Sequence, residues 1–466
     1  MFVMCSSLVS LDLSGIDTSS VTNMSNMFNG CSSLISLDLS NFNTSKVTSI
    51  AEMFSGCSGL TDLNLSGLDF SSVTSNSRFI YSAGNNLKLN LSNASFANNN
   101  MSQLFRSSNL MSINLSGVNT SGVTSMSSMF NSCTNLKSVN LTGFNSKGDT
   151  NLYAIAGGVT AVLSGITSNS SVTDISYMFT DCTSLISLDL SNFDTSKVTN
   201  MSRMFWGCTN LTTLDMSNLD FSSISNTQDC LFLPTNSELV VNMSGSTFKG
   251  ISNNNISKII FNIPNLNLSN ADFTGVDLTR MFAGDNSLKS LDLSNAITTG
   301  VTKMEGMFGG CHGLQNIVLT GFNSKSKSSD LTSIKEMFYD CRDLTSIDLS
   351  DFNTSNITNM SGLFSGCSNL ISANLSGFNF SNITSSSMSP MFGSANTNIK
   401  VNMSKANFEG LPNNIIQMIM YDIAEINLTN TNFKKAVTKS SFVSSLTKKV
   451  NFTGADFTNA NMSGMF

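Results

Sequence analysis

Along much of the chain, apolar and polar residues alternate in one recurring phrase. In "LISLDLSNF", Leu37 and Leu39 alternate with Ser36, Asp38 and Ser40. A period of two predicts a short strand with one buried face. Phe42 re-enters the core, and "NTSK" supplies turn residues. In "VTSIAEMFSGC" the apolar positions are Val47, Ile50, Met53, Phe54 and Cys57, a spacing that predicts one face of a short helix ended by Gly56. One unit therefore reads as strand, turn, short helix, turn.

The phrase recurs. Phe and Cys stand three apart at Phe2/Cys5, Phe28/Cys31, Phe54/Cys57, Phe130/Cys133, Phe179/Cys182, Phe205/Cys208, Phe308/Cys311, Phe338/Cys341 and Phe364/Cys367, 26 residues apart where copies adjoin. A Leu-x-x-Leu-x-Leu run or a variant follows, as at Leu34/Leu37/Leu39 and Leu344/Ile347/Leu349. A single unit cannot bury both sides of its inner residues, whereas stacked units cover one another. The expected fold is an α/β repeat solenoid with one short parallel strand and one short helix per unit. At about 4.8 Å per rung, roughly 16 to 18 coils would span on the order of 80 Å.

Longer-range repetition groups the coils. "LDFSSVTSNS" at 68, "LDFSSISNTQ" at 219 and "FNFSNITSSS" at 378 are versions of one segment. The expected organisation is one continuous solenoid over 1–466 with sub-modules near 1–109, 110–282 and 283–466, and an insertion at 151–171. Whether residues 225–265 and 411–449 form regular coils is left open by the sequence. "ADFTG-VDLTR-MF" (271–282) and "NFTG-ADFTN-ANMSG-MF" (451–466) step in fives, like pentapeptide repeats; the other reading is a degenerate coil whose helix is replaced by extended structure.

The combined text, MFxxCxSLxxLDLSNFxTSxVTNMxxMF, resembles the BspA-type leucine-rich repeat surface proteins, frequent in host-associated bacteria, mycoplasmas and some protists. The resemblance covers about 1–67, 110–145, 172–222, 283–323 and 331–380. It implies a right-handed leucine-rich-repeat-like coil, display outside the cell and adhesion to host or neighbouring cells, with no catalytic residues to carry over.

Composition narrows the chemistry. Charged residues make up 12% and hydrophobic residues 40%, with net charge −6, one His and one Trp. The chain can bury a core, and without a basic patch nucleic acid is not an expected partner. No apolar run reaches the length of a membrane span, and Met1-Phe2-Val3-Met4-Cys5 does not open like a signal peptide. His312 has no evident triad, and neither GxSxG, HExxH nor a P-loop is present, so no enzyme and no cofactor are expected. Nine of the ten cysteines share one phase of the repeat and read as small buried hydrophobes, with neither disulfide nor metal expected. Cys230 is off phase and reads as a free buried thiol. The Met stripe (Met24, Met27, Met126, Met129, Met201, Met204) reads as core, and Trp206 as a surface residue with the character of a partner anchor or of none.

The candidate binding residues lie between the two inner leucines of each strand: Asp12, Asp38, Asn64, Asn114, Asn140, Asp189, Asp215, Asp292, Asp348 and Asn374, with Val318 breaking the series. Stacked, they form a column of carboxylates and amides. One reading is a strip that binds glycans, cations or protein, such as a glycan or protein on a host or neighbouring cell. The other is solvation and hydrogen bonding between rungs, where mixing Asp with Asn relieves like-charge repulsion. Both ends of the chain fall at Met-Phe, which gives the alternative function: a filament subunit joined end to end with identical protomers.

Overall fold

The computed structural model describes residues 1–141, 144, 171–232, 236–325, 330–384, 388–438, 441 and 443–463. Residues 151–170 of the expected insertion lie outside these. The chain forms two compact units, Met1–Asn242 and Met243–Phe466.

The first unit carries β1 (Ser36–Asp38), β2 (Asp62–Asn64), β3 (Leu87–Asn90), β4 (Leu110–Asn114) and β5 (Ser138–Asn140), paired in that order, then β6 (Ser187–Asp189), β7 (Thr213–Asp215) and β8 (Val240–Asn242). The second carries α1 (Asn253–Ile260), β9 (Asn265–Asn267), β10 (Ser290–Asp292) and β11 (Asn316–Val318), then β12 (Ser346–Asp348), β13 (Ser372–Asn374), β14 (Lys400–Asn402), α2 (Asn413–Met420), β15 (Glu425–Asn427) and β16 (Lys449–Asn451). All these strand pairings are parallel, and like positions pair: Leu37 with Leu63, Ala373 with Val401. The middle residue of each rung points inward, as at Leu37, Leu63, Leu89, Ile113 and Val139. The expected solenoid of parallel rungs is what the chain forms.

The helix expected in every unit is replaced. Over Ile50–Cys57, the N–H groups of Ile50, Glu52, Phe54 and Gly56 donate to Ser75, Ser77, Phe79 and Tyr81 carbonyls of the next rung. Those of Met53, Ser55 and Cys57 donate to the carbonyls of Ile50, Glu52 and Phe54, three residues back. Glu52 and Gly56 sit in the left-handed region at φ 55° and 73°, which no α-helix tolerates in series. The result is a second ladder between rungs, made of overlapping three-residue turns. A turn that returns every three residues buries the same side chains as a helix face does, so Val47, Ile50, Met53, Phe54 and Cys57 are all inside.

True helices occur in the two stretches that the sequence left open, 225–265 and 411–449. In α1 the Ser252 hydroxyl caps Asn255 N–H, and Ile256, Ile259 and Ile260 are buried. In α2, Ile415, Ile416, Ile419 and Met420 are buried. In the five-step stretch, Ala271, Val276 and Met281 point inward, as do Phe273 and Leu278, so inward positions recur every five residues there.

The core of each unit contains columns of phenylalanine rings. In the first, Phe105, Phe130, Phe179, Phe205 and Phe232 stack at centroid spacings of 5.4–5.8 Å. In the second, Phe282, Phe308, Phe338, Phe364 and Phe392 stack at 5.2–5.5 Å.

Candidate functional site

The aspartates and asparagines of the strand column do one local job throughout. Each accepts, through Oδ1, the N–H of the residue two further on: Ser40 to Asp38 at 2.9 Å, Ser66 to Asn64 at 3.2 Å, Ser191 to Asp189 at 2.8 Å, Ser350 to Asp348 at 2.8 Å and Ser376 to Asn374 at 3.3 Å. Asp12, Asn114, Asp215 and Asp292 do the same with Ser14, Ser116, Ser217 and Ser294. The Asp-Leu-Ser text is thus an Asx turn that ends the strand and starts the corner. Asn140 ends β5 at the same position.

These bonds favour the ionised carboxyl. Asp12 is held below the usual carboxylate range by the Ser14 N–H and hydroxyl. At Asp38 the Ser40 hydroxyl, then its N–H, does the same. At Asp348 burial pushes the other way, yet bonds from Ser350 and Asn374 and the nearby Lys325 leave it lowered.

Where the residue is Asn, its amide also links rungs. Asn90 Nδ2 donates to Asn64 Oδ1 at 3.0 Å and Asn114 to Asn90 at 3.2 Å. In the second unit Asn402 donates to Asn374 at 2.9 Å and Asn427 to Asn402 at 3.1 Å. Asn90, Asn242, Asn267, Asn402, Asn427 and Asn451 hold the same strand position and belong to the column. The signal was present in "KLNLSN", "VVNMSG" and "KVNMSK", where Asn-x-Ser follows alternating apolar residues. β11 ends at Val318, and the column breaks there as expected.

On β12–β16 the strand face forms a groove of about 660 Å³. Asp348, Asn374, Asn402, Asn427 and Asn451 line one side, and Ser346, Ser372, Lys400, Glu425 and Lys449 the other. Lys400 Nζ pairs with Glu425 Oε1 at 3.2 Å. Asp348 and Lys449 lie at opposite ends of these five rungs, both exposed.

The thiols lie elsewhere. Cys31, Cys57, Cys133, Cys182, Cys208, Cys311, Cys341 and Cys367 are buried, and all ten cysteines are free. Each buried Sγ donates to the carbonyl of the Phe one rung back, as Cys57 to Phe28 at 3.1 Å and Cys367 to Phe338 at 3.0 Å. Burial pushes Cys57, Cys208, Cys311 and Cys367 up to about 12, which removes the thiolate that redox or metal chemistry requires. Cys5 is exposed, and Cys230 is half-exposed and not buried as its sequence context suggested. Its rung carries no Phe three residues before it to fix an inward phase. A thiol reagent is therefore expected to label Cys5 and Cys230 in the native chain and all ten only after denaturation; mass mapping of rapid modification at Cys341 would contradict this.

His312 has a partner that its sequence neighbourhood did not reveal. Its Nε2 lies 2.9 Å from Asp340 Oδ2 one rung on, and Arg342 grips the same carboxylate with Nε and Nη2, both at 2.9 Å. These side chains are partly exposed, while the neighbouring thiols of Cys311 and Cys341 are buried. Among the described residues no group of three or more His, Cys, Asp or Glu is arranged to hold a metal ion, and no helix is long and apolar enough to cross a membrane.

No curated protein matches. Among solved structures, an internalin from Listeria monocytogenes is 14% identical over 91% of this chain and 88% of its own, at TM-score 0.27. A leucine-rich repeat protein of Leptospira interrogans is 13% identical over 90% of each chain, at 0.27. Toll, from the Toll–Spatzle complex of Drosophila, is 13% identical over 89% of this chain, at 0.32, and the chain spans 50% of Toll's length. No catalytic family is indicated. One family profile, described as "Mycoplasma protein of unknown function, DUF285", matches residues 1–99, 89–161, 161–242, 276–406 and 332–465. The chain, whose rungs, turn ladders and phenylalanine columns recur among the described residues of those spans, belongs to the DUF285 family.

Proposed function

We propose that this chain is a non-enzymatic surface scaffold of the BspA type, displayed outside the cell, that adheres to a host or neighbouring-cell partner through the strand face of β12–β16. The groove on that face carries the reading. Along its Asp/Asn side the side chains are held by Asx turns and by amide bonds between rungs, so little ordering entropy is lost there when a partner binds. Its length of five rungs, about 19 Å from first to last, suits an extended partner. The buried thiols and apolar columns are confined to the interior, which fits a protein whose work is presentation.

The test is binding of the purified chain to immobilised matrix, mucin and cell surfaces. Asp348→Asn keeps the Asx acceptor and removes the charge; combined with Lys449→Gln, it is expected to weaken adhesion about tenfold with an unchanged melting temperature. Binding unaffected by both changes, or no binding to any surface, would sink the proposal. Electron microscopy separates it from the filament alternative, since adhesion predicts monodisperse particles and not fibres.

A further inference from the structure

Away from the strand face, on the turn ladder of the first unit, three side chains form a small cluster. Asp174 pairs in register with Asn200, so Tyr177 lies beside Arg203 on the next rung. Arg203 and Trp206 are three apart in one turn, and the Trp206 N–H donates to the Arg203 carbonyl at 3.1 Å. The guanidinium carbon sits 4.7 Å from the Trp206 ring centroid and 5.9 Å from that of Tyr177. Arg203 Nε is 3.1 Å from Asp229 Oδ2, an ion pair without the alignment of a hydrogen bond. The backbone beneath is held too: the Thr180 hydroxyl donates to the Arg203 carbonyl at 2.6 Å. Tyr177 and Arg203 occupy left-handed corners at φ 58° and 54°, a conformation costly for residues of their size.

This geometry divides the guanidinium's donors. Nε faces Asp229, while the two Nη groups form no hydrogen bond among the described residues and remain available as a fork for one carboxylate. Tyr177 and Trp206 are both partly exposed, and the ring surface that the guanidinium leaves uncovered can stack on C–H groups. Among the described residues, the rungs beside Trp206 contribute Ser128, Asn131 and the exposed Asp181, whose N–H donates to the Trp206 carbonyl at 2.7 Å, polar groups that pair with hydroxyls. A ligand matching this set is small, carries one carboxylate, has an apolar C–H face and is otherwise hydroxylated.

We propose that Tyr177, Arg203 and Trp206 form a binding site for an acidic sugar unit, separate from the strand-face groove. The carboxylate takes the free fork of Arg203, the pyranose face lies on Trp206 and Tyr177, and Asp229 orients the guanidinium.

Trp206 is the single tryptophan of the chain, so its fluorescence reads this site directly. Titration of the full chain with methyl β-glucuronide and with the methyl glycoside of N-acetylneuraminic acid is expected to give a saturable change near millimolar concentration with at least one of them. Methyl glucoside, which lacks the carboxylate, should give none. Arg203→Gln should weaken the response about tenfold or more. The neutral-sugar control in the unaltered protein decides the matter even if that variant folds poorly. An absent response to both acidic sugars overturns the proposal. So does an equal response to methyl glucoside, to acetate or to an acidic peptide, the last pointing to a protein partner.

Discussion

Phe338→Ala should lower the stability of the second unit by about 3–5 kcal/mol, more than a surface change anywhere in that unit. The ring is fully buried and stands third in a column of five. Its centroid is 5.2 Å from Phe308 and 5.5 Å from Phe364, with interplanar angles of 20° and 12°. Truncation opens a void against both neighbours, removing two ring contacts of roughly 0.5–1.5 kcal/mol each beyond the lost transfer term. Backbone bonds tie the two neighbouring rungs together, since Phe338 N–H donates to Leu363 O at 3.0 Å and Phe308 N–H to Met337 O at 2.9 Å, so the void cannot close by collapse of one rung alone. In a stack of repeats the loss falls on two interfaces, above and below. Urea unfolding followed by circular dichroism, with hydrogen exchange at Ile334 and Glu336, measures it. Phe338→Leu should cost less than half as much. A loss under about 1 kcal/mol for the alanine variant would mean that adjacent rungs do not share a core.

The strand rungs were the most legible part of the fold, because a period of two has one structural meaning over three residues. Leu37 and Leu39 alternate with polar residues in the sequence, and both are buried in the structure. The turn ladder was misread as helix because its i, i+3 return places Ile50, Met53 and Phe54 where a helix would. What separates the two is the destination of every second N–H, to the next rung and not to the fourth residue back, and a single unit of sequence carries no mark of that. The two true helices are eight residues each, too short for Ile256, Ile259 and Ile260 to stand out from the same apolar spacing. The Asp/Asn column was visible as a list of ten positions, with hydrogen bonding between rungs as one of its two readings; the Asx turn that each closes onto the N–H two residues on went unread. The Arg203 cluster was half legible: Trp206 drew notice, but Tyr177 and Asp229 lie on other rungs.

Asp285 was unread although its phase was plain. In "MFAGDNSL" it stands three residues after Phe282, where other rungs place Cys, and it is fully buried. Ser287 N–H donates to its Oδ1 at 3.0 Å and Asn262 N–H, just past α1, to its Oδ2 at 3.1 Å. Those bonds favour the ionised form, but burial outweighs them and pushes the carboxyl up to about 6 from 3.8. The folded state therefore holds its proton more tightly than the unfolded chain. The stability this confers is fully present below pH 3.8 and is lost as pH rises through about 6. A shift of about two pH units corresponds to about 3 kcal/mol. Carboxylates of the opposite kind, such as Asp456, held down to about 2 by the Thr458 hydroxyl and N–H and then by Lys434, slope the other way, so the informative quantity is a difference between variants. Asp285→Ser removes the charge and keeps an acceptor oxygen, and Ser108 already occupies the same phase behind Phe105, buried. The stability of Asp285→Ser relative to the unaltered chain should rise by about 3 kcal/mol between pH 4 and pH 7 and stay flat above, read from urea midpoints across that range. A constant difference over the whole range would show that the carboxyl titrates as it does in water, and that the rung following α1 is open to solvent instead of closed over the column of side chains it shares with Cys311.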